Sequence, residues 1–145
     1  ERIREAEEAA RREQEKNNSL NAGGNNYPHI DYTASDIDML AAIIECEAGN
    51  QSYEGKCAVG SVIINRVRNP RFATTIQEVI FAPGQFSPVA SGRFAIVLAR
   101  GADSACVEAA TAVLNGYINV DCLYFHAYRG SIDDDKLIIG DHVFF

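Results

Sequence analysis

The sequence predicts an α+β fold, mainly helical, with a small antiparallel sheet near the C-terminus. Three observations carry that reading. Residues 36–48 place Ile37, Leu40, Ala41, Ile44 and Ala48 on one helical face. Residues 104–117 repeat the pattern with Cys106, Ala110, Val113 and Tyr117. From Cys122 onward the chain changes to short runs rich in aromatic and β-branched residues, at 123–128, 137–139 and 142–145. Helices first and then short strands that pair back is the α+β arrangement.

The elements follow in order. Residues 1–16 are almost entirely Glu, Arg and Ala, which suits a charged helix held by i,i+4 pairs. Residues 17–28, rich in Asn and Gly, read as a flexible joint. We therefore expect a stalk and linker over 1–30 and one domain over 31–145. Ser35 is the expected cap of the first helix, with Asp36 and Asp38 favourable in its first turn, and Gly49-Asn50 ends it. Ser52 caps a second helix over 53–68, which stops before Pro70. Its interior Gly60 costs about 1 kcal/mol relative to Ala, tolerable if another helix must approach closely. Thr75-Ile76-Gln77-Glu78 is a capping box that opens a short third helix. Residues 82–92 hold two prolines and two glycines and are expected to be a loop. Asp103 or Ser104 starts the next helix, and Gly116 suits its C-terminal end. Residues 131–136 form an acidic turn between strands.

Composition narrows the function. Of 145 residues, 47% are hydrophobic, enough for one real core. No apolar run approaches the ~18 residues of a membrane span. The first residue is Glu, and no signal-peptide segment is present. The expectation is a piece of a longer exported protein whose signal or anchor lies upstream. The net charge of −7 excludes non-specific nucleic-acid binding, which needs a basic footprint. Arg66, Arg68, Arg71 and Arg93 are the one basic cluster, with a solvated rim as its alternative role. Binding to an anionic polymer must then be local, by shape, stacking and hydrogen bonds. The four cysteines, 46, 57, 106 and 122, match no zinc spacing. They allow three disulfide pairings, or four buried thiols.

One carboxylate stands out. At about 100° per residue Glu47 falls between Leu40 and Ile43 at the edge of the apolar face. Glu45 points the other way, towards Asp38 and Ala42. Desolvation raises a carboxyl pKa, and a carboxyl kept protonated can give its proton to a leaving oxygen. The alternative role for Glu47 is a rim residue reaching water.

The stretch from Glu47-Ala48-Gly49-Asn50-Gln51-Ser52-Tyr53-Glu54-Gly55 through Asn65-Arg66-Val67 resembles the core of the SleB/CwlJ family of bacterial cell-wall hydrolases. That family's pattern runs E-A-x-x-E-x-Y-E-G-x-x-A-V-G-x-V-x-x-N-R-V. Pro83-Gly84-Gln85-Phe86-Ser87-Pro88-Val89, Cys122-Leu123-Tyr124-Phe125-His126 and Ile139-Gly140-Asp141-His142-Val143-Phe144 agree in the same order. The resemblance covers about residues 36–145. It implies a lysozyme-like helical domain with a cleft, acting on peptidoglycan glycan strands outside the cell or at its wall, with Glu47 at the catalytic position. One departure matters: the family's second acid is Gln51 here.

Glycosidases ordinarily use two carboxylates. Glu45 lies on another side of its helix, and Glu54 suits first-turn stabilisation. With no clear second carboxylate, a lytic transglycosylase fits better: one Glu protonates the bridge, then acts as base on the 6-hydroxyl of the muramic residue. The resemblance supports this route. Muramidase-type hydrolysis and a non-catalytic peptidoglycan-binding module are the alternatives. Tyr53, Gln85, Phe86, Ser87, Tyr124 and His126 are the expected substrate contacts. Tyr124 and His126 share one side of a strand and Phe125 takes the other. For Tyr53 the alternative is packing at a helix start; for Gln85, Phe86 and Ser87 it is a turn held by two prolines. Asn65 and Arg66 are assigned structural hydrogen bonds. His126, His142 and residues 133–135 match no known metal-ligand spacing, and nothing visibly activates Cys46 as a nucleophile. We expect no metal, no cofactor and a monomer.

Overall fold

The computed structural model describes residues 30–130 and 136–145. The expected stalk and joint, and most of the acidic turn, lie outside the described residues.

Helix α1 spans Ala34–Ala48. Its cap is Thr33, not Ser35. The Thr33 hydroxyl accepts from the Asp36 N–H at 3.2 Å, and Asp36 Oδ2 accepts from the Thr33 N–H at 3.0 Å. That reciprocal pair satisfies two orphan donors at once, which Ser35, already inside the first turn, does not. α1 is buried nearly all round from Met39 to Glu45 because other helices surround it. Helix α2 spans Tyr53–Val67, capped by Ser52 as predicted. A Cβ on Gly60 would sit 3.2 Å from Ile44 Cδ1 and 3.2 Å from Val113 Cγ2. Gly60 thus lets side chains from two other helices close over α2.

Helix α3, Ile76–Phe81, starts at Thr75, whose hydroxyl accepts from the Glu78 N–H. Residues 82–92 are not wholly a loop. Ser87–Ser91 forms the short helix α4, because Pro88 has the φ that a first turn needs. Gly92, at φ 87, ends it and turns directly into α5, Arg93–Arg100. The sequence pattern predicts no element there. Phe94 and Val97 anchor α5 in the core. Helix α6, Ser104–Leu114, is capped by Asp103, which accepts from the Cys106 N–H. α1 packs on α6, α2 and α5, and α2 packs on α6.

The sheet has the order β1-β3-β2, all antiparallel, with β1 Phe125–Ala127, β2 Leu137–Ile139 and β3 His142–Phe144. Val143 and Phe144 on the central strand are fully buried. All four cysteines are free thiols. Cys57 and Cys106 fill the core as small apolar groups, and burial, with Asp103 beside it, pushes the Cys106 thiol up to about 12. No helix among the described residues is long and apolar enough to cross a membrane.

Candidate active site

Glu47 lies one residue before the end of α1 and opens into a cavity of about 310 Å³. Arg66 of α2, Gly84 to Ser87 of the α3–α4 connection, Phe125 to Ala127 of β1 and His142 of β3 complete its wall. The helix end presents the carboxyl, and the sheet and the proline-bounded turn face it. Burial alone raises the Glu47 pKa above its ordinary value. Among the described residues, Glu47 is the only carboxylate on this cavity wall.

Glu45, two residues earlier, shares a second cavity wall with Glu47, Arg93 and Asp103, but its own carboxylate is tied to its neighbours. It is 9% exposed, pairs with Arg100, and accepts from the Asp103 N–H at 2.7 Å. It joins α1 to the α5–α6 connection. Glu45, Asp103 and Cys106 also bring three potential metal-ligand atoms within 4.8 Å of one another. Both Glu45 oxygens already accept hydrogen bonds, and Asp103 Oδ1 caps α6, so a helix junction accounts for the group. Glu54 accepts from the Tyr117 hydroxyl and the Asn119 amide and serves the fold.

Four of the predicted contacts meet at Glu47: Gln85, Phe86, Ser87 and His126. Two do not. Tyr53 faces a separate cavity with Lys56, Ala105 and Glu108, and its ring stacks on Tyr117 at 6.3 Å. It opens α2 on the side turned towards α6. Tyr124 does share a side with His126, as the alternation predicts, but that side meets Phe145, which stacks on Tyr124 at 5.5 Å. Phe125, on the opposite side, packs on Phe86, His142 and Phe144.

Arg66 ties the cavity together. It is 5% exposed, donates from Nε to the Leu123 carbonyl and from a terminal nitrogen to Gln85 Oε1, and lies over the Phe72, Phe86 and Tyr124 rings. Burial lowers its pKa. Asn65 donates to the Val120 and Cys122 carbonyls. Both bear out the structural hydrogen bonds read from sequence, although Arg66 also walls the cavity.

The residue that sequence reasoning missed is His142, which the sequence offers only as a metal ligand without a matching spacing. It is 8% exposed, lines the same cavity as Glu47, and its Nδ1 is buried without a hydrogen bond. Burial lowers its pKa, so the imidazole is neutral near neutral pH. The only signal was its place in the last pattern block, beside Gly140 and Asp141.

Comparison with known proteins agrees with this geometry. Residues 50–145 match the Cell Wall Hydrolase family, a match that begins three residues after Glu47. The chain is 34% identical over 94 residues to a Bacillus cereus spore cortex-lytic enzyme, covering 65% of this chain and 34% of that protein. It is 33% identical over 66 residues to the cell wall hydrolase CwlJ of Bacillus subtilis, covering 43% of this chain and 46% of that protein. The chain thus spans about a third of the spore cortex-lytic enzyme's length. Two solved structures superpose well. The catalytic domain of the germination-specific lytic transglycosylase SleB from Bacillus anthracis gives a TM-score of 0.67 at 28% identity, covering 78% of this chain and 95% of that one. The catalytic domain of the Bacillus cereus SleB protein gives 0.68 at 27%, covering 81% and 94%. Sequence blocks, fold and family match together mean that this chain belongs to the Cell Wall Hydrolase family.

Proposed function

We propose that the domain cleaves peptidoglycan glycan strands between N-acetylmuramic acid and N-acetylglucosamine as a lytic transglycosylase with Glu47 as its acid and base. The observation that carries this reading is a cavity with one carboxylate among its described residues, whose burial raises its pKa. Protonated Glu47 gives that proton to the glycosidic oxygen, and the C–O bond to the muramic C1 breaks. The resulting carboxylate takes the proton of the 6-hydroxyl, and that oxygen closes on C1. The product is a 1,6-anhydromuramic end, and no water is consumed. Likeness to the Bacillus anthracis domain, which belongs to a lytic transglycosylase, supports the same chemistry. Hydrolysis ordinarily uses a second carboxylate to activate water, and the cavity's other described walls offer amide, hydroxyl, imidazole and guanidinium groups instead.

Gln85, Ser87 and His126 hydrogen-bond the sugars, and Phe86 holds its turn against Arg66. On this reading the domain acts as a monomer at the cell wall. Incubation with purified sacculi tests the proposal. Soluble muropeptides should be released. Retention on sacculi without release would instead identify a binding module.

A further inference from the structure

We propose that Gln51 and Asp141 form a clamp that seats the β2–β3 turn on the end of α1, so that His142 is held on the cavity wall it shares with Glu47. Both are positioning residues for the acid, and the inference rests on the reading that Glu47 is that acid. Gln51 itself is fixed from both sides. Its N–H donates to the Ala48 carbonyl at 3.0 Å, and its carbonyl accepts from Lys56 Nζ, on a lysine 7% exposed. Its side-chain amide then spans 90 residues of sequence. Oε1 accepts from the Asp141 N–H at 3.0 Å, and Nε2 donates to Asp141 Oδ2 at 2.9 Å and to Asn50 Oδ1 at 3.0 Å.

The turn is shaped for this contact. Gly140 adopts φ 58, and a Cβ there would lie 2.2 Å from Gln51 Oε1. The Asp141 carbonyl accepts from the Tyr128 N–H at 2.8 Å, which holds the turn to the end of β1. The next residue is His142, in register with Ala127 on β1 and Ile139 on β2. Gln51 follows Glu47 by one helical turn's length of chain, and Asp141 is bonded directly to His142. A shift of the turn therefore moves the imidazole relative to the acid.

The pairing seen here suits an amide. The backbone N–H needs an acceptor and the carboxylate needs a donor, and one amide supplies both. A glutamate at position 51 could still accept from the N–H, but it would set a carboxylate against that of Asp141.

Gln51→Glu, alone and combined with Asp141→Asn, is the test. In the pair, the introduced amide donates to the introduced carboxylate and the clamp re-forms with its roles reversed. On soluble glycan fragments, Gln51→Glu should lower kcat about tenfold, the kinetic equivalent of one hydrogen bond to a charged group, with KM within about twofold. Adding Asp141→Asn should return kcat to within about threefold of wild type. Hydrogen exchange at the Asp141 amide should speed up in the single variant and slow again in the pair, independently of turnover. Wild-type kcat in Gln51→Glu, or a loss that persists after the exchange protection has returned, overturns the clamp. Glu47→Gln is run alongside: if it stays active, the assignment of the acid fails, whereas an inactive Glu47→Gln with an unaffected Gln51→Glu removes the clamp alone.

Discussion

Glu45 and Glu47 stand two residues apart on one helix and share one cavity wall, yet only Glu45 is tied to donors and only Glu47 reaches the cavity lined by the sheet. Glu45 is sunk into the α1–α5–α6 junction with both oxygens engaged by Arg100 and Asp103. Glu47 faces a cavity, and desolvation there sets the direction of its shift. The first carboxylate is tied down by two donors and works for the fold. The second is disfavoured as an ion and is available for proton transfer. A two-residue step on a helix turns a side chain by about 200°, which is enough to separate structure from chemistry.

Removing each carboxylate should break the two sides differently. Glu47→Gln should lower turnover by at least about a hundredfold, the scale of a lost general acid, with the fold intact. Near-normal turnover would remove the acid assignment. Glu45→Ala should instead cost about 1–3 kcal/mol of stability, because the Asp103 N–H loses its acceptor; the exposed Arg100 partner adds little. Equal activity losses in both variants would refute the helical division.

The pH dependence sharpens the contrast. On the proposed mechanism the active form of Glu47 is protonated, so kcat should fall as pH rises through its raised pKa. Stability follows the same sign. A raised carboxyl contributes fully below its unfolded pKa of about 4.3, and that contribution is lost as pH rises through the folded value. Glu47→Gln has no such loss, so it should melt above wild type at neutral pH and level with it in acid. A rate that climbs steadily into alkaline solution would point to another mechanism. The smallest effect is expected at Cys46, between the two. Desolvation raises its thiol pKa, so iodoacetamide treatment near neutral pH should leave turnover unchanged.

The helices that carry the site were legible in the sequence because their signals are local. Ser52, Thr75 and Asp103 cap as their side chains predict, and the 100° rule separates Glu47 from Glu45. Thr33 is hard to pick out because two hydroxyl residues compete for one helix start, and backbone conformation decides between them. α4 and α5 are hidden because proline and glycine read as loop, although here Pro88 opens one helix and Gly92 begins the next. Gln85, Phe86, Ser87 and His126 stand out through pattern blocks. Tyr53 and Tyr124 come from the same blocks, yet nothing local says which side of a helix start or strand end faces the acid. His142 depends on the register of three short strands, and strand order β1-β3-β2 is not written in any one of them.

The form of the new glycan end tests the single-carboxylate account most directly. Sacculi digested in water enriched in oxygen-18 should release muropeptides with 1,6-anhydromuramic ends that carry no solvent label, since the 6-hydroxyl attacks in place of water. Reducing muramic ends that contain one solvent oxygen would contradict it, because water and not the 6-hydroxyl would then have attacked C1.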